Sequence, residues 1–351
     1  MTAEQSLPVV RPRVKIFCTG GTIAGQSGST TDLTNYNAGT LMGQRLLDVI
    51  PEVQSLAEIE VEQVTNLNSA DLGFEDWLEL LFRIDTAFNA DPTLTGVVVT
   101  HGTNTIDETA YFLNLTLPDD RPVVIVGAMR PATALSADGP LNLFQAIQVA
   151  ICPETRGCGV VVLMNEMIHG ARNVSKVCTE GVAAFRSIGC GSLGRIDGGE
   201  VRISNVPKAK HTTTSWFRLG RGADPLRNKD PKVWPMVEIL YGYVQPSATV
   251  IEALLSAGVR GLVFAGCGAG VLSRFELAAL DDGLARHPGI SPLILRSNRT
   301  GSGRVPDLPM YRERGIYAAD DLNPQKARIL LLLMLLHELD ADAIAEAINL
   351  H

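Results

Sequence analysis

Short, nearly unbroken apolar runs recur along this chain and alternate with longer stretches of helical periodicity. Residues 14–18, 97–100, 123–126 and 160–164 are built largely from Val, Ile and Leu, as expected of strands covered on both faces in a parallel sheet. Between them, 74–88, 105–117 and 138–150 carry apolar residues at helix spacing. This β-α-β alternation predicts a larger N-terminal domain of the doubly wound, mostly parallel α/β class. Between Pro207 and Pro235 the apolar periodicity fades and Lys, His, Thr, Gly, Arg and Pro dominate, the composition of an interdomain linker. A second, smaller α/β unit follows, with strands expected at 237–243, 261–265 and 293–296 and helices at 247–257, 275–286 and 324–337. Asn323 before Pro324 supplies a cap and a first-turn proline for the last of these. The expected division is therefore 1–212, a linker at 213–232, and 233–351.

Composition narrows the partners. At 351 residues, 46% hydrophobic and 19% charged, the chain is long enough for two packed cores and too apolar for disorder. Its 38 acidic against 30 basic side chains give a net charge of -8, which argues against a nucleic-acid partner. The longest cationic cluster, 218–227, is diluted by Gly, Leu, Asp and Pro and reads as solvated linker. The most apolar run, 329–336, falls far short of the ~18–20 residues that span a bilayer, so no membrane partner is expected and the run reads as a buried helix. Residues 1–8 carry neither a basic n-region nor an apolar h-region, and cytoplasmic residence is the expectation. Six cysteines without a CxxC pair and six histidines without HExxH spacing predict reduced core thiols and no metal site.

Candidate chemistry clusters in loops that follow expected strands, where α/β sheets bind ligands. In Cys18-Thr19-Gly20-Gly21-Thr22-Ile23-Ala24-Gly25, adjacent glycines permit close backbone approach and free N–H groups, and Thr22 offers a hydroxyl. An ordinary glycine turn is the plainer alternative; the nucleotide-loop spacings GxGxxG and GK[ST] are missing. In Val99-Thr100-His101-Gly102-Thr103-Asn104-Thr105, polar groups outnumber what a helix cap requires. Gly170-Ala171-Arg172-Asn173-Val174-Ser175-Lys176 is a polar loop, and by itself Lys176 reads as a surface charge. Gly266-Cys267-Gly268-Ala269-Gly270 has the look of a dinucleotide loop but no acidic residue at the ~20-residue spacing of a ribose contact, so a structural turn is expected.

Taken together, TGGTIAG (19–25), Asn35-Tyr36, VTHGT (99–103), VGAMRPATALSADGPLNL (126–143), the Lys176 loop and LNPQKAR (322–328) resemble the bacterial-type L-asparaginase/glutaminase family, in order and over essentially the whole chain. The resemblance implies an amidohydrolase that cleaves a carboxamide to carboxylate and ammonia without a cofactor. Thr22 would be its nucleophile, with Tyr36 on a lid to activate it, and Thr103 and Lys176 would form a second hydroxyl–base relay. Gly21 and Gly102 would bring main chain to the substrate, and Ser69 would hold its α-carboxylate. It further implies a homotetramer, a dimer of intimate dimers, in which the C-terminal domain completes the neighbour's site.

The chain departs from the family at three positions. Asn104 stands where the family has aspartate, Ala70 where it commonly has glutamine, and Gln245 where a neighbouring subunit contributes asparagine; the family's late glutamate has no clear counterpart in 300–314. The aspartate and glutamine both grip the substrate's α-ammonium in the family. Losing a carboxylate opposite a desolvated cation costs about 1.5–3 kcal/mol, or ten- to hundredfold in affinity. The expectation is an asparagine-like substrate whose α-amine is blocked or absent. The alternatives are an ordinary L-asparaginase, including one impaired by an Asp-to-Asn exchange, and a non-catalytic small-molecule binder of the same fold.

Overall fold

The computed structural model describes residues 11–220, 224–228 and 230–351; the N-terminal octapeptide read above lies outside them. Strands are β1 (Arg13–Gly20), β2 (Glu58–Leu67), β3 (Leu94–Thr100), β4 (Val123–Val126), β5 (Val160–Met164), β6 (Met167–Gly170), β7 (Val174–Lys176) and β8 (Phe185–Ser187), then β9 (Gly194–Asp197), β10 (Glu200–Ile203), β11 (Val237–Tyr241), β12 (Gly261–Gly266), β13 (Leu293–Asn298) and β14 (Ile316–Ala318). Among the described residues they form an eight-stranded sheet in the order β10-β9-β6-β5-β4-β3-β1-β2, a four-stranded sheet β11-β12-β13-β14, and the separate pair β7-β8.

The large sheet is parallel from β2 to β5 and antiparallel beyond; the small sheet is parallel throughout. This is the α/β class expected, a larger mostly parallel sheet and a smaller C-terminal one. Alternate residues of the central strands enter different cores, as the two-residue period of a strand requires. Phe17, Val97, Val99, Val123 and Ile125 pack with the Phe74–Ala90 and Ile106–Thr116 helices on one face. Ile16, Cys18, Val98, Val124 and Val126 pack with the Gly139–Ile151 helix on the other.

The Pro324–Leu336 helix lies between the two sheets, packed against β11, β12 and β13 and also against the Ile106–Thr116 helix. Its apolar run is buried, as expected, and so is Lys326 in its first turn. Asn323 caps it, its Oδ1 accepting from Lys326 N at 2.9 Å. The Gly266–Gly270 stretch is a turn, closed by hydrogen bonds between Cys267 and Val271 and with the Gly270 carbonyl accepting from Arg296.

Two expectations are corrected. The 218–227 stretch is not a solvated linker: Leu219 and Leu226 are buried and Arg227 pairs with Asp85 at 2.7 Å, while 221–223 lie outside the described residues. Phe217 and Trp234 are buried as well, so the polar composition hid a strap fastened by scattered apolar anchors rather than by a periodic face. Nor are the cysteines all core thiols, since Cys178 and Cys190 are exposed.

Candidate functional site

In the order β2-β1-β3 the chain leaves β1 towards one neighbour while β3 lies on the other side. Loops leaving the carboxyl ends of β1 and β3 therefore part, opening a crevice at a topological switch point. The first of these loops carries Thr22 and the second carries Thr103.

Glycine makes the closeness of the two loops possible. Gly21 has φ +80°, and a Cβ there would fall 2.3 Å from Gly102 Cα, so the loops run backbone against backbone. Below them Ser69 is wedged in: a Cβ on Gly102 would sit 2.6 Å from its Oγ. Ser69 lies in a short turn capped by Asn68, whose Oδ1 accepts from Ala70 N at 3.1 Å. The Ser69 Oγ accepts from Asn104 N at 3.2 Å, and Thr105 Oγ1 donates to the Ser69 carbonyl at 2.7 Å. Thr105 stands at the N-cap position of the Ile106–Thr116 helix but makes no side-chain cap; its hydroxyl ties the β3 loop to the Ser69 turn instead.

Thr22 Oγ1 lies 2.6 Å from the Tyr36 hydroxyl, and Thr22 itself is 6% exposed. Tyr36 rides on a loop closed at its base by main-chain hydrogen bonds between Gln26 and Asn37. Its ring lies over Gly25, where a Cβ would come 2.9 Å from Cδ2. The 126–143 stretch braces that loop: Ala132 N donates to Gly25 O, Leu135 N to Thr30 O, and Ser27 N to Thr133 Oγ1. Asp138 in turn accepts from the main-chain N–H of Met129 and Arg130. That long motif is thus the frame of the loop, which its residue types alone did not disclose.

On the opposite side Lys176 Nζ donates to Thr103 Oγ1 at 2.9 Å and to Asn104 Oδ1 at 3.4 Å. Burial lowers the Lys176 pKa, against the pull of the Asp107 charge. Asn104 Nδ2 donates to Asn68 Oδ1 at 3.1 Å, so the wall beside Lys176 is a pair of neutral amides with Ala70 next to it.

The structure thus brings Gly21, Thr22, Tyr36, Ser69, Ala70, Gly102, Thr103, Asn104 and Lys176 together. It does not bring Gln245, which is exposed at φ +55° in the turn after β11. His101, counted among the polar groups of its loop, faces the core: it is fully buried, with Nδ1 2.7 Å from Gly102 O and Nε2 2.9 Å from Thr109 Oγ1. Because a carbonyl only accepts, Nδ1 carries the proton and Nε2 accepts from the threonine. Burial holds its pKa down to about 4. Asn68 and Asp107 carried no signal in the sequence, and Lys326 stood in the LNPQKAR motif without a role of its own. Asp107 is buried in the first turn of the Ile106–Thr116 helix, its pKa raised by burial against the charges of Lys326 and Lys176. Among the described residues no group of three His, Cys, Asp or Glu side chains is placed to hold a metal ion, and no helix is long and apolar enough to cross a membrane.

A family profile described as asparaginase, N-terminal, matches residues 13–209, and one described as glutaminase/asparaginase C-terminal domain matches 236–348. The chain belongs to the asparaginase/glutaminase family. It is 40% identical to L-asparaginase 2 of Bacillus subtilis over 96% of this chain and 86% of that one. It is also 38% identical to glutaminase-asparaginase of Pseudomonas fluorescens biotype A, over 92% and 86%. The crystal structure of a probable cytoplasmic L-asparaginase from Campylobacter jejuni superposes with a TM-score of 0.89 at 38% identity, covering 97% of this chain and all of that one. The crevice is that of an asparaginase-family amidohydrolase.

Proposed function

We propose that this family member hydrolyses an asparagine-like carboxamide, and that its preferred substrate has a blocked or missing α-amine. Amide hydrolysis is supported by relatives named as L-asparaginases and glutaminase-asparaginases over nearly the whole chain. In this reading the Thr22 oxygen attacks the amide carbon and its proton passes to the Tyr36 side of the crevice, within the 2.6 Å contact. Collapse of the tetrahedral adduct breaks the C–N bond as the leaving nitrogen takes up the proton that Thr22 gave up, releasing ammonia and leaving an ester on Thr22. Water then attacks that ester, giving the carboxylate and restoring the hydroxyl. Main-chain N–H groups of the two loops are the oxyanion donors, while Thr103 and Lys176 relay the proton on the far wall.

The altered substrate rests on one observation. The side of the crevice beside Thr103 is closed by the amides of Asn68 and Asn104, 3.1 Å apart, and no carboxylate hydrogen-bonds to either among the described residues. An ammonium placed there would be desolvated without an opposite charge, which costs several kcal/mol. Ammonia release from L-asparagine, L-glutamine, N-acetyl-L-asparagine and succinamate tests this. The amine-free or acylated compounds are expected to exceed L-asparagine in kcat/KM by about tenfold or more; free asparagine ranking first by a wide margin overturns it. An ordinary L-asparaginase is the second reading, favoured by relatives of that name at 38–40% identity.

A homotetramer belongs to the same proposal. It is supported by the exposed apolar side chains Tyr241, Tyr243, Val244 and Phe275 around the Gln245 turn, and light scattering on the purified chain tests it. Cytoplasmic residence is supported by the Campylobacter jejuni neighbour, whereas a Haemophilus influenzae relative at 40% identity is described as probably periplasmic; cell fractionation decides between them.

A further inference from the structure

Lys176 sits on a poor foundation. Its strand, β7, is three residues long and among the described residues pairs only with β8, outside both main sheets, and an isolated two-stranded pair is marginal in water. Support comes from elsewhere in the chain. Segment 321–326, at the start of the Pro324–Leu336 helix, closes on residues 172–175 through a series of polar contacts. Asp321 Oδ1 pairs with Arg172 at 2.6 Å. Asn323 Nδ2 donates to Ser175 Oγ at 3.1 Å. Lys326 Nζ donates to the carbonyls of Arg172, at 3.0 Å, and of Val174. Lys326 is 1% exposed. The carbonyls and the hydroxyl it and Asn323 hold belong to the residues immediately before Lys176.

We propose that Lys326, with Asn323 beside it, is a positioning residue for the catalytic machinery: the Pro324–Leu336 helix grips the main chain of β7 and so fixes Lys176 Nζ against Thr103. The inference rests on the reading of Lys176 as part of the proton relay. A misplacement of about 1 Å in such a group costs on the order of a hundredfold in rate, and a three-residue strand does not secure that tolerance unaided.

Charge adds a second consequence. Lys326 faces Asp107, Glu108 and the Arg172–Asp321 pair, lies about 6.0 Å from the Tyr111 ring, and acts on His169 behind it. Burial brings its pKa down to about 8, against the pull of Asp107 first. The Asp107 carboxyl is pulled on by Lys326 and, less strongly, by Lys176. With Lys326 gone, the Asp107 carboxyl loses the stronger of the two cations that hold its pKa down, so its charge declines and with it the pull that favours protonated Lys176.

The test compares Lys326→Met, Ser175→Ala, Asn323→Ser, Lys176→Met and the double variant Lys326→Met/Asp107→Asn. Ammonia release from N-acetyl-L-asparagine and from L-asparagine is followed across pH, beside thermal unfolding. Ser175→Ala removes the Asn323 contact without touching the cap, and Asn323→Ser keeps a cap but cannot reach Ser175. Each is expected to lower kcat roughly threefold with KM within about twofold. Lys326→Met is expected to lower kcat by about thirtyfold or more and to move the acidic limb of its pH profile to lower pH. The double variant, which removes both buried charges, should regain thermal stability without regaining kcat; a merely structural lysine would have both return together. A folded Lys326→Met with unchanged kcat and pH profile overturns the proposal. Should that variant not fold, unchanged kcat in both Ser175→Ala and Asn323→Ser overturns it. If Lys176→Met retains full turnover, the reading of Lys176 itself fails. If Lys176→Met is inactive while the gripping variants are normal, only the positioning inference falls.

Discussion

Lys176 Nζ spans two oxygens of consecutive residues, 2.9 Å from the Thr103 hydroxyl and 3.4 Å from the Asn104 amide. A carbonyl oxygen of an amide accepts that hydrogen bond without supplying a charge. Burial therefore lowers the lysine's pKa with no carboxylate at position 104 to raise it again, and neutral lysine, the form that can take a proton, is easier to reach.

Asn104→Asp reverses this. A carboxylate in the same place raises the pKa of Lys176 and supplies a counter-charge for a substrate ammonium. The acidic limb of kcat/KM against pH, set by loss of the proton from Lys176, should move to higher pH. The ratio of kcat/KM for L-asparagine over N-acetyl-L-asparagine should rise by about tenfold or more. An unchanged ratio would show that the amine is not sensed at this wall.

Tyr36→Phe removes the hydroxyl 2.6 Å from Thr22 Oγ1 and leaves the ring over Gly25. A fall in kcat of roughly 10²- to 10⁴-fold with a small change in KM is expected of a lost proton-transfer partner. Gly25→Ala pushes against the ring itself, with its Cβ 2.9 Å from Cδ2, and should impair kcat while Tyr36 is still present. Full activity in both variants would remove Tyr36 from the mechanism.

Gly21→Ala strains the backbone and the packing at once. The residue has φ +80°, and the new Cβ meets Gly102 Cα at 2.3 Å, where neither chain has a flexible end to yield. A loss of more than about 1 kcal/mol in urea unfolding is expected, together with loss of activity because the Thr22 and Thr103 loops are forced apart.

Acid should destabilise the fold before its carboxylates titrate. His101 and His169 are held neutral by burial, each with a pKa of about 4 against an ordinary 6.5. Below pH 6.5 the unfolded chain binds protons that the native state refuses, so stability declines as pH falls from about 6.5 to 4, by roughly 1.4 kcal/mol per unit for each histidine. Asp107, with a raised pKa, works in the opposite sense at the low end. Urea unfolding at pH 7, 6 and 5 should show the decline. His101→Gln, which can keep a donor towards Gly102 O and is blind to protons, should flatten it.

Much of this molecule was legible along the chain. Strands β4 and β5 stand where unbroken valine runs put them, and the helices at 74–90, 106–116, 139–151 and 324–336 begin within a residue of their periodic patterns. Strand β2 was not legible. Its sequence EIEVEQVTNL puts charge at alternate positions of its first half, Glu58, Glu60 and Glu62, because it is a sheet edge where Lys15 bridges Glu60 and Glu62 at 2.7 and 2.8 Å. The short strands β6 to β10 were equally silent, being held by neighbours distant in sequence rather than by any pattern of their own.

The glycine-bearing loops after β1 and β3 declared themselves in the sequence, since close backbone approach demands glycine and leaves a motif. Hydrophobic period likewise determined the α/β class, because burial on both faces of a sheet leaves an unbroken apolar run. What only the tertiary structure decided was which polar groups meet. His101 turned inward to Thr109, whose hydroxyl Trp77 also holds, Thr105 left its helix to hold Ser69, and Lys326 crossed from the Pro324–Leu336 helix to the strand of Lys176. A hydrogen bond is specific to direction and distance, and residues 150 positions apart carry no periodic trace of it; only the packed chain fixes the pair.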